Sequence, residues 1–294
     1  MTAEGSTFAQ RTLGQQLRAL REKAKVSQAQ AGEALGASPQ TIGRLEEGFS
    51  WRSANDLRMN ALCDLYNASD EERKVILALA RETRIAARRG GGWWQPHLDR
   101  NTTEFDLYAA AEEQAVRLTA WAVIRLPVLV RTPEYCRAVA WTESPNAPAE
   151  QIEARVQREL KRQARLQDPA FTAEVFVSEA ALREEWGGPA VMADQHDYLA
   201  EMNDLPNVSI RLVPFATRTH IGALIGSFSL LEFPTMPNTR MTQPPIVHIE
   251  EHVGDLYLER AKEVAPYQSA VAKLRRSAST RLARADSETP ESVR

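Results

Sequence analysis

The sequence predicts an all-α N-terminal domain of five helices joined to a mixed α+β C-terminal domain. Three observations carry that prediction. Residues 10–89 hold apolar side chains at helical spacing with capping residues between them. Residues 90–92 are three consecutive glycines. Beyond Thr103, helical stretches alternate with short runs rich in Val, Ile and Phe. A chain of 294 residues is long enough for two domains with buried cores.

Each N-terminal element has its own warrant. Leu13, Leu17 and Leu20 recur at i, i+4 and i+7 in a first helix that also carries Arg18, Arg21, Lys23 and Lys25. Ser27 is an N-cap for a second helix, Gln28 to Leu35, which stops at Gly36 because glycine reaches the left-handed conformation without a Cβ clash. Ser38 caps a third helix with Pro39 at its first position, where a missing N–H costs nothing. Ile42 and Leu45 give that helix an apolar face, and Gly48 ends it. Leu57, Ala61, Leu62 and Leu65 form a fourth, entered through Ser53. Val75, Ile76 and Leu79 form a fifth, with Glu71 and Glu72 in its first turn and Arg84, Arg88 and Arg89 at its end, as the helix dipole favours.

The second helix, its turn and the third helix have helix-turn-helix geometry, in which the later helix enters the major groove of double-stranded DNA. A helical hairpin serving only for packing shares that geometry. Ser38, Gln40, Thr41 and Arg44 fall on the exposed side of the third helix, toward its N-terminal half, while Ile42 and Leu45 face the core. Glutamine pairs bidentately with adenine and arginine with guanine. Gln28, in the first turn of the helix that crosses the DNA backbone, is expected to bond a phosphate.

Ser27-Gln28, Gly36 and the run Thr41-Ile42-Gly43-Arg44-Leu45-Glu46-Glu47-Gly48 resemble the XRE (Cro/C1-type) regulators. The resemblance implies a lambda-repressor-like five-helix domain in which Ser38, Gln40, Thr41 and Arg44 face base edges or flanking phosphates. It also implies that Glu46 pairs with Arg21 as a structural ion pair. Ala31 and Gly32 stand where the family usually has leucine and alanine. Gly43 inside the reading helix costs about 1 kcal/mol relative to alanine, so a weakly packed module is expected.

Residues 1–9 read as a flexible N-terminus, 10–89 as the helix-turn-helix domain, 90–102 as a linker, 103–280 as the α+β domain and 281–294 as a polar, disordered tail. Trp93 and Trp94 are expected to dock the linker onto a domain. A helix is predicted over Phe105–Val123. A second, over Ala149–Leu166, has Ile152, Val156 and Leu160 on one side and a solvated, Glu-paired set of arginines around them; an anion-binding surface is the alternative. Strands are predicted at Phe171–Val177, Val208–Pro214, Gly226–Phe233 and Ile246–Glu250, and a last helix at Lys262–Ser277. The expected sheet is small and largely antiparallel.

The order of features in this domain resembles the C-terminal domain of Scr1-type antitoxin-like actinobacterial regulators. The residues that carry it are Tyr108, Glu112 and Glu113; Leu126-Pro127-Val128-Leu129; Arg131 to Tyr135; Arg158, Arg162-Gln163 and Arg165-Leu166; Ser178 to Leu182; Pro206-Asn207-Val208; Val213-Pro214-Phe215; Gly226-Ser227-Phe228; and Gly254 to Leu258. The family's usual Pro-Gly-Leu-Leu-Gln-Thr run is altered here, with Val128 after Pro127 and Val130-Arg131 before Thr132. The resemblance implies transcriptional regulation, often beside a small partner protein encoded nearby, for which this domain is the candidate binding surface.

Composition excludes other classes. A net charge of −3 and a pI near 6.0 argue against a generally basic nucleic-acid coat. Residues 1–89 nevertheless hold 14 Lys and Arg against 11 Asp and Glu, a net +3, the sign expected of a part that meets phosphate. Cys63 and Cys136 read as buried free thiols, too few for a disulfide framework or a cysteine zinc site. No leader and no membrane-length apolar run is seen, so a cytoplasmic protein away from membranes is expected. His248-Ile249-Glu250-Glu251-His252 matches a zinc-peptidase string. Pro244-Pro245 before it and the β-branched residues within it predict a strand, on which residues four apart lie roughly 13 Å from each other, too far for one zinc ion. No nucleotide-binding glycine motif or nucleophile elbow is present, so neither an enzyme, a cofactor nor a metal is expected. The reading is a sequence-specific DNA-binding transcriptional regulator, a homodimer on a near-palindromic operator; the family resemblance further implies repression of its own promoter. The alternatives are an interaction module that sequesters a small partner protein, and a small-molecule sensor.

Overall fold

The computed structural model describes residues 7–49, 55–89, 93–96, 107–217, 220–235, 243–252 and 254–279. Five helices come first: α1 (Phe8–Lys23), α2 (Gln28–Leu35), α3 (Pro39–Glu46), α4 (Asp56–Leu65) and α5 (Asp70–Arg89). Their starts are fixed by side-chain caps. Thr7 with Gln10 and Ser27 with Gln30 form reciprocal capping boxes, and Ser38 caps α3 ahead of Pro39. Ser69 and Glu72 exchange the same pair of bonds at α5. The cap of α4 is Asn55; Ser53 lies outside the described residues.

Two N-terminal expectations change. The first helix starts at Phe8, inside the stretch read as flexible, and Phe8 and Ala9 are buried. Residues 1–6 lie outside the described residues. Leu57 was placed on a core face but is 80% exposed, while Met59, Leu62 and Cys63 supply the buried side of α4. The helical period fits either set, and only packing decides which face turns inward.

The remaining elements build a seven-stranded sheet. Its strands are β1 (Trp93–Pro96), β2 (Arg117–Ala122), β3 (Thr172–Ser178), β4 (Val208–Val213), β5 (Phe228–Glu232), β6 (Ile246–Glu251) and β7 (Gly254–Leu258), in the order β1-β7-β6-β5-β2-β3-β4. β2, β3 and β4 are mutually parallel and every other pairing is antiparallel. The helices are α6 (Leu107–Gln114) between β1 and β2, α7 (Pro133–Glu143) and α8 (Ala149–Gln163) between β2 and β3, α9 (Glu179–Arg183) and α10 (Pro189–Met202) between β3 and β4, and α11 (Ala261–Ser277) at the end. The sheet is thus larger than expected and mixed, because parallel neighbours need helical crossovers and this chain has two.

The helix expected over 105–123 divides. α6 ends at Gln114 and β2 follows, buried at every position after Arg117. A continuous apolar strand cannot be told from a buried helix by periodicity. The expected linker also contributes structure: residues 93–96 pair with β7, Trp94 opposite Leu256. Residues 97–102 and the tail 281–294 lie outside the described residues.

The two faces of the sheet bury different cores, as the period-two alternation of strands requires. Trp121, Phe176, Phe228, Leu230 and Val247 pack under Val264, Val271 and Leu274 of α11. On the other face, Leu118, Ala120, Ala173, Val175, Ile210, Leu231 and Tyr257 join a core that runs without interruption into Phe8, Leu13, Leu17, Ile42 and Leu45. The five-helix module therefore rests on the sheet.

Polar residues of the C-terminal motifs act as staples inside this frame. Gln195, fully buried, accepts from the Thr132 amide and donates to the Val130 carbonyl. Asn207 Nδ2 donates to the carbonyls of Leu166, Asp168 and Phe171. Arg162 grips Glu112 through two bonds of 2.8 and 3.0 Å. Arg155 bonds Glu159 and Glu143. These arginines of α8 are held by acids as expected, but the face is not a solvated one: Arg155 and Glu159 are buried, and Glu112 and Glu143 come from α6 and α7. The His248–His252 string is strand through Glu251, with His248 stacked on Tyr108 at 4.2 Å and His252 exposed past the strand end. Both cysteines are buried and free, and burial pushes the Cys136 thiol up to about 12. Among the described residues no helix is long and apolar enough to cross a membrane.

Candidate nucleic-acid interface

The two helices of the motif meet through backbone, not through large side chains. A Cβ on Gly14 of α1 would lie 2.4 Å from the Glu46 carbonyl oxygen and 2.5 Å from that of Leu45, so only glycine lets α1 cross the end of α3 this closely. A Cβ on Gly32 of α2 would lie 2.6 Å from the Ala37 carbonyl oxygen. Gly32 was expected to weaken the module; instead it permits the tight α2–α3 turn. Gly36 in that turn has φ +60°, the left-handed conformation expected of it.

Glu46 is buried and acts as the hub. Arg21 donates to both of its oxygens, at 2.5 and 3.1 Å, and gives a third bond to the Val26 carbonyl at 2.9 Å. The carboxylate holds the Arg21 guanidinium above its ordinary pKa. Gln28 Nε2 also donates to Glu46, at 2.9 Å. The pairing inferred from family resemblance is present, and it orients the leading helix against the reading helix.

The structure brings the expected site residues to one surface. Ser38, Gln40 and Arg44 are exposed on α3 and Thr41 is half-buried beside them. The Ser38 hydroxyl accepts from the Thr41 amide at 3.2 Å and lies 3.0 Å from the Thr41 hydroxyl. One hydroxyl proton is shared between those two oxygens, which leaves the other for an outside acceptor. Gln28 is half-buried at the first position of α2, over Gly43, with one amide proton committed to Glu46 and a second available to a phosphate. Lys25, not part of α1 but held at φ +55° in the turn before α2, is an exposed cation at the same end, where the pattern gave no sign of it.

The first turn of α1 fixes where this surface stands. The Phe8 amide donates to Glu259 Oε2 at 2.6 Å, and Arg11 Nη2 lies 3.2 Å from the same oxygen. Phe8 packs its ring against Tyr257 at 5.9 Å and Phe233 at 6.2 Å. Arg11 is only 1% exposed. Burial lowers the Arg11 pKa against the pull of Glu259, and burial raises that of Glu259. Sequence reasoning missed this contact; nothing local in either segment announces a pairing across 248 residues.

A capped helix, a left-handed glycine turn and a second capped helix with an open polar face, braced by a third helix, define a helix-turn-helix module. Residues 12–75 accordingly match the family described as "Helix-turn-helix domain", which supports a DNA-binding regulator. Residues 105–286 match the family described as "Domain of unknown function (DUF5753)". That match spans more than half of the chain, and the protein belongs to this family. No curated protein matches the chain.

Proposed function

We propose that the protein is a sequence-specific transcriptional regulator, not an enzyme, that reads operator DNA with the exposed face of α3. The observation that supports this most is the set Ser38, Gln40, Thr41 and Arg44 on one capped helix, with Gln28 beside it on α2. On this reading Gln40 and Arg44 take base edges, while Ser38, Thr41 and Gln28 hold the flanking backbone. One reading helix recognises a half-site, so two chains act together on a near-palindrome with half-site centres roughly 34 Å apart. The resemblance to Cro/C1-type regulators adds repression of its own promoter to this proposal.

The test is selection of bound sequences from random DNA, then footprinting with variants. Gln40→Ala and Arg44→Ala should each lose about 1–3 kcal/mol of preference for the selected site. Gln28→Ala should weaken selected and random DNA alike. Affinity should fall by about 0.9 log units per log unit of salt for each phosphate neutralised. Variants that all bind like the wild type, or a flat salt response, would remove the assignment.

A second reading, sequestration of a small partner protein, is favoured by the exposure of Ile124 and Trp141 in the C-terminal domain. If it holds, Ile124→Glu with Trp141→Glu should abolish capture of the partner while leaving DNA affinity intact.

A further inference from the structure

The face of the sheet that α11 covers changes character along its strands. Near the middle it is apolar, with Trp121, Phe176, Val213 and Phe228 among the buried side chains. Toward the starts of β2, β3 and β4 the same face turns polar, since alternate residues of a strand share a face. Arg117 stands level with Thr172 of β3 and Glu232 of β5, and Glu174 stands level with Ser209 of β4. Between these strand starts, Pro206 and Asn207, and Arg275 in the last turn of α11 lies an open cleft of about 290 Å³.

The lining of this cleft is rich in donors. Arg275 spends Nε and Nη2 on Glu174, at 2.5–3.1 Å, and keeps Nη1. Arg117 Nε stands 3.6 Å from Glu232 Oε2, beyond hydrogen-bonding distance, and the side chain is 47% exposed. The Ser209 hydroxyl accepts from Arg211 Nε at 3.2 Å, which leaves its own proton to give. Thr172 adds a second hydroxyl. The carboxylate in the cleft, Glu174, is buried and taken up by Arg275, with Arg211 Nη2 3.8 Å away. Three arginines here face two glutamates, an excess of one positive charge.

Donors without matching acceptors suit a ligand group that accepts and does not donate. An oxyanion is such a group, and the guanidinium fork fits a carboxylate or a phosphate through paired bonds. The Glu174–Arg275 staple accounts for neither Arg117 nor the two hydroxyls. The volume stands at the lower end of small-molecule sites, roughly 300–1,000 Å³. That is room for a compact, charged molecule and too little for a dinucleotide.

We propose that this cleft binds a small molecule by its oxyanion, a carboxylate or a phosphate, held by Arg117 and by Nη1 of Arg275, with the hydroxyls of Thr172 and Ser209 as further donors. The site belongs to the domain matched over residues 105–286, apart from α3, and stands whether or not α3 reads DNA.

The test is calorimetric titration of the full chain with inorganic phosphate and, separately, with succinate, at constant ionic strength. At least one of them should bind saturably, once per chain; phosphate alone would assign a phosphorylated ligand and succinate alone a carboxylate. Arg117→Gln should weaken binding at least tenfold. Ser209→Ala with Thr172→Val, which keeps every charge, should weaken it at least threefold and serves as a second variant independent of the first. Arg183→Gln, at an exposed arginine of α9, should bind like the wild type. Saturation by neither anion, wild-type affinity in the Arg117 variant or the hydroxyl variant, or an equal loss in Arg183→Gln would overturn the proposal. A loss in Arg44→Ala equal to that in Arg117→Gln would put the anion on the DNA-reading face and overturn it as well.

Discussion

Two buried Arg–Glu pairs anchor opposite ends of α1, and they are built differently. Arg21 and Glu46 tie the C-terminal end of the helix to the reading helix. Their guanidinium and carboxylate meet face to face, a third bond goes to a carbonyl, and the arginine keeps a path to water. Arg11 and Glu259 tie the N-terminal end to the sheet. That arginine is sealed from solvent, and its Nη2 lies 3.2 Å from an oxygen shared with the Phe8 amide. The pKa directions record the contrast: the partner carboxylate raises Arg21, while burial lowers Arg11 and raises Glu259. The first pair is an ordinary satisfied ion pair. The second trades solvation for position, and what it gains is the placement of one domain against the other.

The contrast can be broken at either end. Glu259→Ala takes the carboxylate from a sealed guanidinium and should cost about 3–5 kcal/mol in urea unfolding, whereas Arg11→Met with Glu259→Leu should recover most of it. A loss no larger than that of a surface substitution would mean that Arg11 reaches water after all. Glu46→Ala should cost less, about 1–3 kcal/mol, because Arg21 keeps the Val26 carbonyl and solvent. Gly43→Ala should stabilise the module by about 0.5–1 kcal/mol in thermal melts, since a Cβ there meets only the Gln28 amide at 3.5 Å.

The smallest effect is a pH slope. The folded state holds a proton on Glu259 at pH values where the unfolded chain has released it. Stability therefore falls as pH rises from the ordinary carboxylate value of 4.5 through the raised folded value. Urea midpoints across that interval should show the fall, and Glu259→Gln should remove its share of it.

Local features were legible in the sequence and distant ones were not. The caps at Ser27 and Ser38, the glycine turn and the outward set on α3 depend on residues within one or two turns of one another, and they stand where expected. Glu46 with Arg21 was legible only through family resemblance. β2 was taken for helix because it is apolar on both faces, and β1 was taken for linker because its pairing partner lies in β7. Gly14 gave no signal, since its role depends on a helix crossing. Arg11 carries no local mark of burial, and the acid that holds it stands toward the far end of the chain.

The docking of α1 has a consequence for dissection. The two matched segments, 12–75 and 105–286, look like separable cassettes, and the glycine run at 90–92 looks like the place to cut. A cut there leaves Phe8 and Arg11 on one piece and Phe233, Tyr257 and Glu259 on the other, each with a sticky face the intact chain hides. Chimaeras that graft this reading helix onto a foreign sheet would inherit its sequence preference without its bearing. Here the unit of inheritance is the seam along with the two parts it joins.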